Sequence, residues 1–126
     1  MSGDIVKSFK VASTLAANRI VTILTGTANS VEYPAASTGN PCIGVTLSDV
    51  KDTTGSVPVK VAGIAEVYFH DTCAAGLVGA DSSGRGVPFS AVTGTASYVG
   101  ILVGPAVAAT GTIAQVLIQP GVAKTV

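Results

Sequence analysis

His70, Asp71 and Cys73 fall within a span of four residues, and Cys42 is the second thiol of the chain. A thiol, an imidazole and a carboxylate are the parts of a nucleophilic site, in which the base takes the thiol proton and a third group holds the base. An extended backbone works against that use. Neighbouring residues on a strand point to opposite faces, so Asp71 cannot orient His70, and only a turn could bring Cys73 to it. Glu66 shares the face of His70, but four residues of strand separate them by roughly 13 Å. The same residues serve a metal poorly. Structural zinc takes four closely spaced ligands, and neither a Cys-x-x-Cys nor a pair of histidines occurs. Calcium loops need several acidic oxygens close together, whereas Asp49 and Asp52 flank a lysine and read as a solvated turn. Gly76-Leu77-Val78-Gly79 runs into Ala80-Asp81 and not into the Gly-Lys-Ser/Thr of a phosphate loop, and no dinucleotide fingerprint opens a helix. The two cysteines make no disulfide framework and read as small buried hydrophobes. These residues predict no catalytic group, no cofactor and no metal.

The elements that would carry such groups are strands. The 126 residues suit one domain, and 19 Val, 18 Ala, 25 Ser plus Thr and 15 Gly set its character. Apolar residues recur at every second position. Val57, Val59 and Val61 oppose Pro58, Lys60 and Ala62. Ala65, Val67 and Phe69 oppose Glu66, Tyr68 and His70. Ile43, Val45 and Leu47, then Val99, Ile101 and Val103, then Ala114, Val116 and Ile118 repeat the pattern. Antiparallel sheets with one packed face alternate in this way. Turn residues punctuate the runs at Thr25-Gly26-Thr27, 37–41, 52–55, 81–84, Thr93-Gly94-Thr95 and Thr110-Gly111-Thr112. The pattern predicts an all-β domain, a small antiparallel barrel or sandwich. Thr14 to Arg19 offers at most one helical turn. Pro58 cannot donate to a ladder and predicts a free strand edge beside it.

Charge narrows the partners. Seven basic and seven acidic residues cancel and are scattered, so the chain lacks the basic stripe of a nucleic-acid binder. Only 11% of residues are charged, against a typical 25%. A near-neutral surface this poor in charge is suited to being covered by protein. Residues 86–123 hold no charge, and Tyr98 to Ile118 is long enough to span a bilayer. Gly100, Gly104, Pro105 and Gly111 break it, no basic cluster flanks it, and two strands with a loop fit better than a membrane helix. No secretory signal is visible, which predicts synthesis in the cytoplasm.

From Cys42 to Gly121 the order of segments is IGVTLSD, VPVKVAGIA, AGLVGAD, SGRGVP, YVGIL and AQVLIQPG. In this order they resemble the small capsid cement, or decoration, proteins of tailed bacteriophages. The resemblance covers about two-thirds of the chain and none of its motifs carries a reactive group. It implies a homotrimer on the outer surface of the phage head, bridging subunits of the major capsid protein and stabilising the shell. It also implies a virion protein made in the host bacterial cytoplasm. An alternative is a small β-sandwich module for a carbohydrate or a receptor, displayed on a larger particle. Within the motifs, Gly63 should permit a bulge or close approach, and Gly76 and Gly79 should bracket a corner.

The first residues differ from the rest. Met1 to Lys7 are small and polar around one apolar pair, and the first plausible strand is Ser8 to Ala12. This predicts an N-terminal arm over residues 1–7 and a β domain over 8–126. The arm residues Ser2, Gly3, Asp4, Ile5, Val6 and Lys7 are expected to be mobile in the free protein and to order on the capsid or a neighbouring subunit.

Overall fold

The computed structural model describes residues 4–11, 14–23, 29–33, 42–51, 55–70, 72–73, 76–81, 83–88, 94–107 and 110–125; at 94–97 and 122–125 it describes the backbone alone. These residues form strands β1 (Ile5–Val11), β2 (Ile20–Ile23), β3 (Ser30–Glu32), β4 (Cys42–Thr46), β5 (Ser56–Tyr68), β6 (Gly76–Ala80), β7 (Gly86–Pro88), β8 (Gly94–Leu102) and β9 (Ile113–Thr125). No helix occurs among them.

The strands follow the order β1-β3-β2-β4-β5-β9-β8-β6-β7, and β1 pairs back onto β5. That pairing closes β1, β3, β2, β4 and β5 into a five-stranded barrel. An odd ring cannot be antiparallel throughout, and the β1–β3 contact is the parallel one. The thirteen residues of β5 serve both halves of the molecule. The first half lies between β1 and β4, and the second pairs with β9. The second sheet, β5-β9-β8-β6-β7, curls until Gly86 bridges Phe69 just past the end of β5.

Two cores result. Phe9, Val11, Leu15, Val21, Val31, Val50, Val57 and Val59 pack together in the barrel. Ala65, Val67, Phe69, Val78, Val99, Leu102, Val116 and Ile118 of the second sheet pack with Ile20, Cys42 and Val45 of the barrel wall. The period-two reading of β5 and β9 therefore holds. It fails in β4, where Val21 opposes Gly44 but Thr22 opposes Cys42. The extra residue is Ile43, and this bulge sends Ile43 to the barrel core and Val45 to the other.

Other expectations change for local reasons. Pro58 pairs with Ser8 of β1 on one side, and on the other the residue just past β4, Leu47, donates its N–H to the Pro58 carbonyl at 3.0 Å, so the edge is not free. Pro58 has no N–H to return the second bond, and β4 ends at Thr46. Gly76 and Gly79 lie within β6 rather than at a corner, because β6 pairs with β8 on one side and β7 on the other. Gly94 and Thr95 lie in β8, opposite Thr125 and Lys124, and make no turn. The segment from Thr14 to Arg19 is stitched to the end of β4 in place of a helical turn. Thr46 Oγ1 donates to the Ala16 carbonyl at 2.7 Å and accepts from Arg19 N at 3.1 Å, and Asn18 is left-handed at φ 60°.

The β6–β7 connection follows its sequence. Asp81 Oδ1 accepts from the N–H groups of Ser83 and Arg85, each at 2.9 Å, and Asp81 Oδ2 takes the Arg85 guanidinium at 2.8 Å. Asp81→Ala removes all three bonds and should lower stability by about 1–3 kcal/mol, read from urea unfolding at constant slope. A loss under about 0.5 kcal/mol would mean that the hairpin is held by its ladder alone.

Candidate interaction surface

The chemistry-bearing residues do not converge. His70 is exposed, its N–H bonded to the Gly86 carbonyl at 2.9 Å. Cys73 is buried and exchanges two backbone bonds with Val107, at 3.0 and 2.8 Å. Cys42 is buried in the same core, and no disulfide links the two. Asp71 lies outside the described residues. Glu66 on β5 and His70, two residues past its end, are both exposed. No three His, Cys, Asp or Glu side chains come together among the described residues. The stretch from Tyr98 to Ile118 is two strands with a loop between, and no described helix is long and apolar enough to cross a membrane.

What the surface offers is apolar. Ile64 opposes Leu117, Leu117 opposes Ile101, and Ile101 opposes Leu77. Directly paired residues share a face, so these four aliphatics form one row across β5, β9, β8 and β6, about 14 Å long. Their chain neighbours Ala65, Val116, Leu102 and Val78 are buried in the core. The row therefore lies on the outer face, where Ile64 is 47% and Leu77 37% exposed. Two residues further along the strands, Glu66 opposes Gln115, and Val103 donates to the Gln115 carbonyl at 3.1 Å. Val103 and Ile113 are exposed there as well. Strand pairing alone would be served by threonine at such positions, so a row of Ile and Leu makes this face a candidate contact surface. The sequence alternation set Leu117 opposite the core but put Ile101 on the packed face with Val99 and Val103. The irregularity between Tyr98 and Gly100 breaks that alternation, Leu102 is buried in place of Ile101, and only the register places the four side by side.

The N-terminal residues supply a second apolar site. The structure begins β1 at Ile5, three residues before Ser8, because Ile5, Val6 and Lys7 pair with Ala62, Lys60 and Val59 of β5. These residues continue the barrel strand and do not stand apart as an arm. Pairing slips between Ile5 and Val6, which leaves Val61 as an extra residue on β5. Alternation breaks there, and both side chains are exposed. Asp4 bonds Lys60 Nζ at 3.3 Å, and its carboxylate occupies the space beside Gly63, which is left-handed at φ 102°. That close approach is what Gly63 permits. Lys7 follows the inward row of Phe9 and Val11, with its ammonium 5.6 Å from the Phe9 ring centre. Ser2 and Gly3 lie outside the described residues.

Fold and surface together define an all-β protein whose described surface presents apolar rows and no cluster of reactive groups. Among solved structures the chain is similar to the N base of head fiber gp8.5 of bacteriophage phi29. The two agree with a TM-score of 0.66 at 16% identity, over 92% of this chain and 94% of that one. At that identity the likeness is one of fold. No protein-family model matches the chain, and no curated protein matches it.

Proposed function

We propose that this chain is a structural protein of a phage head, a cement or decoration protein that binds the outer surface of the assembled shell as a homotrimer. It bridges neighbouring subunits of the major capsid protein and performs no catalysis. The observation that carries the reading is the fold shared, over nearly the whole of both chains, with the base of a phage head fiber. The segment order from Cys42 to Gly121 supports it independently. The protein is made in the host cytoplasm and ends on the virion.

The mechanism is thermodynamic. A protein that binds the assembled shell and not free subunits stabilises the shell by mass action. Threefold repetition turns a modest contact per copy into high avidity per trimer. The apolar row Ile64, Leu117, Ile101 and Leu77 and the pair Ile5 and Val6 are the contact surfaces, shared between capsid and neighbouring copy.

The test uses undecorated heads of the phage that encodes the chain. The protein should co-sediment with them at micromolar concentration and raise the temperature at which they open. Ile64→Asp with Leu77→Asp, or Ile5→Asp with Val6→Asp, should weaken shell binding at least tenfold, about 1.4 kcal/mol. Because these side chains are exposed, the variants' own thermal midpoints should move by only a few degrees. Heads that neither bind the protein nor gain heat resistance from it would overturn the reading.

A further inference from the structure

We infer that the outer edge of β1, from Ile5 to Ser8, is a docking edge for an extended segment of a partner chain, one that sets a carboxylate against Lys7 and an aliphatic side chain against Val6. β1 has β5 on one side along residues 5–10, but β3 on the other only at Lys10 and Val11. Among the described residues no strand pairs with that second side of Ile5 to Ser8. All four of these residues are exposed.

The hydrogen bonds fix which backbone groups lie on this edge. The Pro58 carbonyl points to the end of β4, where it accepts from Leu47 N, so Val57 and Val59 turn their groups toward β1, opposite Phe9 and Lys7. Ser8, opposite Pro58, then turns its N–H and C=O away from β5. Lys10 N does the same and reaches the Asn29 carbonyl at 2.7 Å. Val6 follows Ser8 by the strand period of two. The edge thus presents the N–H and C=O of Val6 and of Ser8 over about 13 Å of strand. Such an edge is a template for an added strand. β1 is already held by β5, and Asp4 is seated beside Gly63, so only the partner has to order.

Charge selects the occupant. Lys7 and Lys10 are exposed, and among the described residues neither makes an ion pair, while the nearby carboxylate of Asp4 is bonded to Lys60. A second copy of the edge fits badly. The twofold register that uses the groups of both Val6 and Ser8 in each copy is centred on Lys7. It sets the two Lys7 side chains directly opposite, where like charges are destabilising. A strand with a carboxylate at that position gains what the second copy loses. One place along, an aliphatic side chain across from Val6 covers a residue that is 50% exposed. The inference rests on the shell-binding reading for where the partner is found, a subunit of the head. The chemistry of the added strand comes from the edge itself.

The test uses the full chain and two end-blocked peptides of about eight residues, one alternating Glu and Val and one alternating Lys and Val. Hydrogen exchange is read at the Val6 and Ser8 amides. Both should exchange fast in the free protein. The Glu-Val peptide at millimolar concentration should slow them at least tenfold, and the Lys-Val peptide should leave them fast. Lys7→Glu should reverse that preference. Ser8→Pro removes the outward N–H and leaves the β5 ladder intact, so it should abolish the slowing at Val6 with the β spectrum unchanged. Lys7→Glu, at an exposed position, carries the test if the proline variant unfolds. Slow exchange without peptide would mean an edge already covered, by this chain or by a second copy, and would overturn the inference. Equal slowing by both peptides, or none by either, would overturn it too. Undecorated heads separate it from the shell reading. Heads that bind the unmutated chain at least tenfold more tightly than Lys7→Glu and Ser8→Pro support both. Heads that bind all three alike leave shell binding standing and overturn the edge as its site. Heads that bind none overturn the shell reading, and the peptides still decide the edge.

Discussion

Truncating Phe69 to Ala should lower the stability of the free protein by about 3–5 kcal/mol, the range for deleting a buried aromatic ring. For a chain of this size that moves the thermal midpoint by roughly 10–20 °C. Phe69 is the largest of the fully buried side chains among the described residues. It stands where the second sheet closes on itself, bridging Gly86, with its N–H bonded to the Thr112 carbonyl and its carbonyl to the Gly111 N–H, both at 2.9 Å. A Cβ placed on Gly86 would come within 2.9 Å of the ring, so there is no slack around it. Truncation leaves a cavity that the two sheets cannot fill without reopening that closure. Calorimetry on the purified variant measures the shift, and a loss under about 1 kcal/mol would show that the walls collapse onto the space.

Gly100→Ala should be nearly as severe, although it adds only a methyl group. That methyl would overlap the Leu117 carbonyl and lie 3.0 Å from Gln119 N. Both are backbone atoms of β9 and neither can swing aside, so the β8–β9 ladder must part at its bulge. Overpacking costs about 1–3 kcal/mol where side chains can adjust, and the upper end or more is expected here. Gly104→Ala is the matched control. Its methyl would meet nothing nearer than Gln115 N at 3.8 Å and should change stability by no more than about 0.5 kcal/mol. Equal effects of the two substitutions in urea unfolding would contradict the packing described for Gly100.

Sequence pattern reached the strands that obey a single rule. β5 and β9 alternate over long runs with one packed face, and their core residues Val57, Val59, Ala65, Val67, Val116 and Ile118 were legible as such. It misread β4, because a bulge at Ile43 depends on the partner strand and leaves no mark in the alternation. It misread Gly94-Thr95 for the converse reason: turn-forming residues are also tolerated in a strand when a partner as distant in sequence as 121–125 supplies the ladder. Residues 5–7 looked unpartnered because β5 lies more than fifty residues away.

The surface was legible in part. Ile64 and Leu117 stood opposite the core in their own strands and could be anticipated one strand at a time, whereas Ile101 was read with the packed residue Val99 and is turned outward by the irregularity between Tyr98 and Gly100. That they form one row with Leu77 follows from register across four strands, which no local pattern encodes. Residues 1–7 read as an arm, and neither the pairing of Ile5 and Val6 with β5 nor the register break between them was legible. The separation of His70 from Cys73 was legible from strand geometry: His70 lies on the surface and Cys73 in the core.

β5 is a wall common to both cores, and its partners β1 and β9 stand near opposite ends of the chain. Neither half can be completed by contacts between near neighbours in sequence, so the search for the native topology is long and folding is slow compared with a helical protein of the same length. The same wiring couples loss of one core to loss of the other. Peeling β5 from the barrel exposes Val57 and Val59 and also frees the strand on which β9 is laid. Opening one end of the molecule therefore has no cheap intermediate, and a fold slow to form is also kept from coming apart piecemeal.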